Sequence, residues 1–204
     1  MTDLSNKEQI DMVKTWWKDY GRSLALALGL GLAITGGWRY WQHHQQLRAE
    51  TASALYSEMR DVNEAQPKQA AAVAAELRQQ YPKSPYAAMA AFWQAKDEIA
   101  ANKPEAALSS LTWVVDHGRL VSFRQIARIR AARVLLFLKQ PAAALAMLAK
   151  EDDATFAPLV EQVRAHIYRA QGNEAAAQKA FAAAKAGYAK LDVQSPLLAL
   201  EMAQ

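Results

Sequence analysis

Three prolines spaced 37 residues apart constrain the fold of this 204-residue chain more than any other feature. Pro67, Pro104 and Pro141 each precede an Ala-rich stretch that favours helix. A proline at the first position of a helix loses no intrahelical hydrogen bond, because the N–H at that position has no partner there anyway. Each proline therefore marks the start of a helix, and the regular spacing predicts a repeat of paired helices.

The stretches on either side of these turns complete the hairpins, and Gly172-Asn173 supplies a fourth turn. Apolar residues recur at helical spacing on both sides of each turn. First helices are predicted over residues 52–63, 86–100, 123–138 and 158–170, and second helices over 68–81, 105–117, 142–150 and 174–190. A Ser-Pro pair at 195–196 predicts one more short helix. We therefore expect an all-α fold, with residues 42–204 forming a solenoid of helical hairpins.

Composition excludes several classes of function. The chain has no Cys, which excludes disulfides, Cys-ligated zinc and a thiol nucleophile. Its net charge of +4 is too evenly distributed for a nucleic-acid surface. Phosphate loops, Gly-x-Ser-x-Gly and dinucleotide fingerprints are also missing from the sequence. We expect a protein that is not an enzyme and that uses no cofactor.

Residues 23–38 carry no charge and form the most apolar stretch of the chain. As a helix this run of about 16 residues measures roughly 24 Å, slightly less than a hydrocarbon core of ~30 Å. Aromatic side chains suited to the headgroup region and arginines able to extend outward flank the run. These membrane-interface anchors are Tyr20, Arg22, Trp38, Arg39, Tyr40 and Trp41. The pattern predicts a tail over residues 1–22 and a single transmembrane helix over 23–41.

Two other interpretations of this run are a cleaved secretory signal and a buried core helix. A signal is disfavoured because a 22-residue tail precedes the run, and because bulky residues 38–41 follow it where a cleavage site needs small ones. A core helix is disfavoured because polar residues do not alternate with the apolar ones.

Basic residues predict the orientation of this helix. Four of them precede the run and two follow it closely. They are Lys7, Lys14, Lys18 and Arg22 before the run, and Arg39 and Arg48 after it. Because the basic side of a span usually stays in the cytoplasm, we expect a cytoplasmic N-terminus. In a bacterium this places the protein in the inner membrane with its repeat domain in the periplasm.

Small residues recur every fourth position along the predicted span, at Ala25, Gly29, Ala33 and Gly37. Such a stripe allows another helix to approach closely in the bilayer. The alternative is that Gly and Ala are simply common in membrane helices.

Charged residues of the repeats include one pair of interest for binding. Arg124 and Arg128 stand four apart and share a helix face, which suits acidic groups of a peptide in a concave groove. The alternative is an ordinary charged outer face. We interpret Trp93 and Trp113 as packing residues between helices, and the acidic run at 151–153 as a solvated loop.

Two resemblances sharpen these expectations. Gly172-Asn173 followed by Ala177, Phe181 and Ala184 resembles the second helix of a tetratricopeptide hairpin, in which small residues let paired helices approach. The whole layout resembles the ancillary subunit family of the SecYEG translocon. That resemblance rests on Gly37-Trp38-Arg39-Tyr40-Trp41, on Val13-Lys14-x-Trp16-Trp17 and on the Pro-punctuated hairpins.

The family resemblance implies partners as well as a layout. Its members have a cytoplasmic tail, one span and a periplasmic tetratricopeptide-like domain, and the implied partners are the SecYEG translocon and periplasmic chaperones. We therefore expect a membrane-anchored adaptor that links emerging secreted polypeptides to chaperones. The alternative is a membrane-anchored scaffold for envelope assembly or cell division, unrelated to secretion.

Overall fold

A computed structural model describes residues 6–62 and 65–193, with the side chains of 6–9 and 24–25 left undescribed. Over these residues the chain forms α-helices and one short 3-10 helix at Ala154–Phe156, and no strand. The α-helices are α1 Asn6–Val62, α2 Pro67–Gln80, α3 Pro85–Ala100, α4 Pro104–His117, α5 Val121–Phe137, α6 Pro141–Met147, α7 Ala157–Ala170 and α8 Glu174–Lys190. The predicted all-α fold is confirmed, while the helix predicted after Ser195 lies outside the described residues.

The chain divides into two compact units, residues 1–50 and residues 51–204. The described part of the first unit belongs to α1, and its apolar side chains are exposed. None of the helices in residues 6–62 and 65–193 combines the length and the apolar character needed to cross a membrane. The charge-free run at residues 23–38, where we predicted a span, is only about 24 Å long as a helix and includes four glycines.

Helices of the second unit begin where the prolines predicted them. Pro67, Pro104 and Pro141 are the first residues of α2, α4 and α6, so the 37-residue spacing is confirmed as a spacing of helix starts. Ser84 caps α3, because its Oγ accepts a hydrogen bond from the backbone N–H of Tyr86 at 3.2 Å. Local sequence chemistry therefore set the N-terminal ends of these helices.

The turns inside three hairpins share one geometry that the sequence showed only once. Asn102, Lys139 and Gly172 follow α3, α5 and α7 with φ of 55°, 58° and 75°. The next residue donates its N–H back to the last turn of the helix, with distances of 2.8, 2.8 and 2.9 Å. These bonds define Schellman motifs, in which glycine is the usual left-handed residue. Two of the three positions hold Asn or Lys instead, so glycine counting detects only the last.

Alanine forms much of the core of the second unit. Several alanines of α3 and α5 are completely buried where consecutive helices pack: Ala87, Ala90, Ala91, Ala127, Ala131 and Ala132. In the last hairpin Ala177, Phe181 and Ala184 are buried between α7 and α8, which confirms the predicted packing face. Because alanine ends at Cβ, paired helices approach closely along these faces.

The helix α6 is shorter than predicted. It ends at Met147, whereas the apolar pattern predicted helix to residue 150. The guanidinium of Arg164 on α7 donates a hydrogen bond to the carbonyl oxygen of Leu148 at 2.9 Å, which satisfies an acceptor at the end of the helix. Residues after Leu148 then form a loop that leads to the 3-10 helix.

Candidate functional site: an apolar groove in the repeat unit

A groove of about 900 Å³ opens along α3 and α5, both of which are first helices of their hairpins. Its walls are mostly apolar, and Tyr56 near the end of α1 also contributes. The main aromatic and aliphatic side chains of the two walls are Phe92, Trp93, Ile99, Phe123, Ile126 and Phe137. A concave, largely apolar groove between repeats is the usual binding surface of helical-repeat proteins.

Helical periodicity explains why these residues line one surface. On α3 the lining side chains of Phe92, Lys96 and Ile99 recur at intervals of four and three, which places them on one face. The alanines Ala87, Ala90 and Ala91 occupy the other positions and are buried. The helices α3 and α5 therefore each have a small-residue face for packing and a large-residue face for the groove.

Some groove residues remain exposed although they are large and apolar. The side chain of Phe137 is 69% exposed and that of Ile99 is 46% exposed. Both lie at the C-terminal ends of their helices and line the same groove. A contiguous exposed apolar patch in a folded domain is typical of a surface for a partner.

Cationic side chains also line this apolar groove. Lys96, Arg130 and Arg133 line the groove, while none of its lining residues is acidic. The Cζ atom of Arg130 lies 4.9 Å from the ring centre of Phe92, and the Nζ atom of Lys96 lies 4.5 Å from that of Trp93. Burial, and second the positive charge of Arg133, lower the pKa of Arg130 from its ordinary value. The groove therefore combines aromatic surface with uncompensated positive charge.

The predicted pair Arg124 and Arg128 lies elsewhere on α5 and does not line this groove. The Nε atom of Arg128 is 2.8 Å from Oδ2 of Asp152, and Nε of Arg124 is 3.6 Å from Oδ1. Gln125 completes the contact, because its Oε1 accepts the backbone N–H of Asp152 at 2.7 Å. Both arginines thus already face a carboxylate of their own chain, and their role in peptide binding stays a prediction.

The acidic run at residues 151–153 is predicted to be a solvated loop, but the structure shows that one of its side chains is shielded from solvent. The side chain of Asp152 is only 5% exposed. Burial alone raises the pKa of Asp152, but the hydrogen bond from Arg128 and the charges of Arg128, Arg124 and Lys150 outweigh it and lower that pKa below its ordinary value. We call this contact the Asp152 clasp, since it fastens the loop after α6 onto α5.

The membrane-interface anchors predicted in the first unit have exposed side chains. The anchors Tyr20, Arg22, Trp38, Arg39, Tyr40 and Trp41 are all exposed. Trp38 and Trp41 lie together, with ring centres 5.3 Å apart. A Cβ added to Gly29 or Gly37 meets no atom within 4 Å, while the side chain of Ala25 lies outside the described residues. The role of this stripe and of the anchors stays a prediction.

The part of the chain that the structure describes contains no candidate metal site. No three His, Asp or Glu side chains there come together in a way that holds a metal ion. His117, the last residue of α4, instead stacks on Trp113 with ring centres 4.8 Å apart. The groove, in contrast, has a chemistry suited to binding an apolar partner.

Comparison with known families supports this view of the architecture. The family model described as a tetratricopeptide repeat-like domain matches residues 14–203. The chain belongs to this family. The match begins well before the first hairpin, so the family includes most of α1 as well as the repeats.

Three curated relatives carry the name "Ancillary SecYEG translocon subunit". The protein of Escherichia coli (strain K12) is 29% identical over 88% of this chain and 86% of its own length. That of Haemophilus influenzae is 28% identical over 94% of each, and that of Neisseria gonorrhoeae is 29% identical over 82% and 81%. The resemblance inferred from the sequence is confirmed. No solved structure gives a significant match.

Sequence reasoning missed the groove of this tetratricopeptide repeat-like domain because α5 carries arginines on two faces. Arg124 and Arg128 share one face and Arg130 and Arg133 belong to the groove, but periodicity alone does not say which face meets a neighbour. Trp93 was interpreted as a packing residue. It does pack against a core cluster, yet it also lines the groove. The helical spacing of large residues on α3 and α5 is the sequence signal that could have identified this surface.

Proposed function

We propose that this protein is a membrane-anchored, non-enzymatic adaptor at the protein translocon. In this proposal the repeat unit binds emerging secreted polypeptides and brings them to periplasmic chaperones. The observation that carries it is the similarity to three ancillary SecYEG translocon subunits over 81–94% of their lengths. Similarity of that extent includes the segment before the repeats, so the proposal covers the anchor as well as the binding domain.

The anchor in this proposal is the segment at residues 23–41. Leu26, Leu28, Leu30 and Leu32 are exposed in α1, as is expected of side chains that face lipid. Aromatic pairs lie on both sides of the charge-free run, Trp16 with Tyr20 at 6.0 Å and Trp38 with Trp41 at 5.3 Å. Aromatic belts and extended arginines compensate for a run shorter than the hydrocarbon core.

The anchor's role is to raise local concentration. A domain tethered at the exit of a channel meets emerging chains at an effective concentration set by the tether, which reaches the millimolar range for short links. High intrinsic affinity is then unnecessary, and weak binding lets a polypeptide pass onward. An apolar groove of this kind suits transient contacts with many sequences.

Site-specific photo-crosslinking in cells tests the translocon part of the proposal. A photoreactive amino acid at position 29 or 37, both in the proposed span, is expected to capture subunits of the channel. Capture of envelope-assembly or cell-division proteins instead supports the alternative scaffold. The same experiment at exposed Lys179 on α8 is the control, since that residue lies far along the chain in the repeat unit.

Reporter fusions test the topology. A reporter that is active only in the periplasm is expected to work after Gln204 and to fail after Lys7, because four basic residues precede the run and two follow it. Alkaline extraction of the membrane fraction is expected to leave the full chain in the pellet. Reversed reporter activity excludes the periplasmic placement of the repeats, and release into the supernatant excludes the anchor.

The stripe of Ala25, Gly29, Ala33 and Gly37 enters this proposal as the face that docks on a channel helix. Gly29→Leu is expected to reduce co-purification with the channel, because association in lipid depends on close packing of small residues. Leu28→Ile, beside the stripe, serves as the control. Undiminished co-purification of Gly29→Leu assigns any channel contact to another part of the chain.

A further inference from the structure

The groove also indicates which polypeptides it accepts. We propose that it binds apolar segments that carry an acidic residue, with Arg130 and Arg133 holding the carboxylate and the aromatic walls holding the flanking side chains. The inference rests on the proposed function in one respect, namely that the repeat unit binds polypeptides. It adds a substrate class to that function.

The charge of the groove favours a ligand with an acidic residue. Three cations line the groove and none of its lining residues is acidic. Among the described residues neither Arg130 nor Arg133 forms an ion pair, in contrast to Arg124 and Arg128, which share Asp152. Two neighbouring guanidinium groups on an apolar surface repel each other, so an incoming carboxylate removes an unfavourable interaction and adds a favourable one.

Arginine is also the cationic residue best suited to bind a carboxylate. A guanidinium group presents planar, paired N–H donors that match the two oxygens of a carboxylate. Contact with the ring of Phe92 at 4.9 Å holds the guanidinium group of Arg130 against the groove wall and leaves its N–H donors without a protein acceptor among the described residues. A positioned donor loses less conformational entropy on binding than a freely moving one.

The order of residues along the two walls indicates where the acidic residue of the ligand stands. On α5 the apolar Ile126 precedes the two arginines and the exposed Phe137 follows them, all in the same groove. On α3 the sequence is the same in kind, with Phe92 before Lys96 and Ile99 after it. Both walls are therefore apolar, then cationic, then apolar. A ligand that matches this order has an acidic residue between large apolar ones.

The apolar walls also distinguish this ligand from other anions. Nucleic acid requires a surface of many cations to neutralise phosphates, and this groove is mostly apolar. An apolar peptide without a carboxylate is able to use the walls but leaves the arginines uncompensated. The inference thus predicts a measurable preference and not merely binding.

Fluorescence anisotropy with the full chain in mild detergent tests this preference. The probes are three fluorescein-labelled nonapeptides of Leu, Ile and Phe that differ only at the central position, which is Asp, Asn or Lys. The Asp peptide is expected to bind about tenfold more tightly than the Asn peptide, a difference equivalent to about 1.4 kcal/mol. The Lys peptide is expected to bind most weakly.

Matched variants locate the effect. Arg130→Gln combined with Arg133→Gln is expected to abolish the preference for Asp over Asn while binding of the Asn peptide persists. Lys179→Gln combined with Lys185→Gln removes the same charge from exposed positions of α8 and is expected to keep the preference. Phe137→Ser is expected to weaken all three peptides alike, since it removes apolar surface and no charge. Circular dichroism confirms that each variant is folded.

The possible outcomes separate this inference from the function beneath it. Equal binding of all three peptides, or a preference that survives in the double arginine variant, overturns the inference and leaves polypeptide binding intact. Binding of none of the peptides overturns both. Self-association that Phe137→Ser reduces assigns the groove to a second copy of this chain, which also overturns the inference.

Discussion

Leucine has opposite environments in the two units of this protein. In the first unit Leu26, Leu30 and Leu32 of α1 are 65–75% exposed. In the second unit Leu77 and Leu148 are completely buried. The residue type is the same and both units are helical, so side-chain chemistry and helix propensity do not account for the difference. What differs is whether the chain supplies neighbouring helices within the unit.

Small residues show the same division. A Cβ added to Gly29 in the first unit meets nothing within 4 Å, whereas one added to Gly187 on α8 comes within 2.7 Å of Cγ of Pro158. Packing inside the repeat unit therefore requires a small residue at Gly187. In the first unit a Cβ on Gly21 comes within 3.2 Å of the Trp17 side chain, but a Cβ on Gly29, Gly31, Gly36 or Gly37 meets no neighbour within 4 Å. The use of those four glycines therefore depends on surroundings outside that unit. The following variants test this contrast, beginning with the largest expected effect.

Leu77→Ala is expected to lower the free energy of unfolding of the repeat unit by about 2–5 kcal/mol, because it leaves a cavity in a fully buried site. Leu30→Ala, the same change in the first unit, is expected to alter it by less than about 0.5 kcal/mol. Urea unfolding of the full chain in mild detergent, followed by circular dichroism, measures both. Equal losses contradict the division between the units.

Ala177→Leu is expected to destabilise the last hairpin by about 1–3 kcal/mol, because this alanine of α8 is completely buried where α7 and α8 pack, which leaves little space for a larger side chain. Ala182→Leu on the exposed face of the same helix is the control and is expected to change little. The midpoint of thermal unfolding compares the two variants. If their midpoints coincide, close packing does not explain the alanines of α8.

Ion pairs also differ between the two units, in how exposed their carboxylates are. Asp11 and Lys14 in the first unit approach to 3.9 Å but are 77% and 74% exposed, whereas Asp152 is buried in its clasp. Asp152→Asn is expected to cost about 1.5 kcal/mol at neutral pH, since it weakens a part-buried hydrogen bond between two charged groups. Asp11→Asn is expected to cost nothing measurable, because a pair that exposed contributes little.

The Asp152 clasp also predicts a pH dependence. Folding lowers the pKa of Asp152, so its stabilisation is complete above the pKa of an unfolded aspartate, about 3.9, and is lost as the pH falls through the lower folded value. The stability difference between the parent and Asp152→Asn should therefore be constant near neutral pH and shrink in strong acid. Urea midpoints at several pH values measure it. A difference that persists unchanged in strong acid excludes the ionised clasp.

The smallest expected effect concerns the turn after α5. Lys139 adopts φ of 58°, which is unfavourable for a residue with a Cβ. Lys139→Gly is expected to raise the stability of the repeat unit by about 0.5–1 kcal/mol, while Lys139→Ala keeps the strain and is expected to give no such gain. Thermal unfolding of the two variants distinguishes them. A larger gain from Ala than from Gly means that loss of the lysine side chain, and not backbone strain, is responsible.

Much of the fold was predictable because its signals are local. Pro67, Pro104 and Pro141 fix helix starts through the missing N–H, a property of the residue itself that no neighbour changes. Ala177 and Ala184 mark a packing face through their spacing on one helix. The end of α6 was predicted less well, since Arg164 on another helix satisfies the carbonyl oxygen of Leu148 there.

The sequence alone did not determine which residues form the candidate functional surface. Four arginines of α5 recur at helical spacing, and that spacing fixes which of them share a face. Only the tertiary structure decided that Arg124 and Arg128 meet Asp152 while Arg130 and Arg133 face the groove. The physical reason is that periodicity relates residues along a single helix, whereas the environment of a face depends on helices that the chain brings alongside it from elsewhere in the sequence.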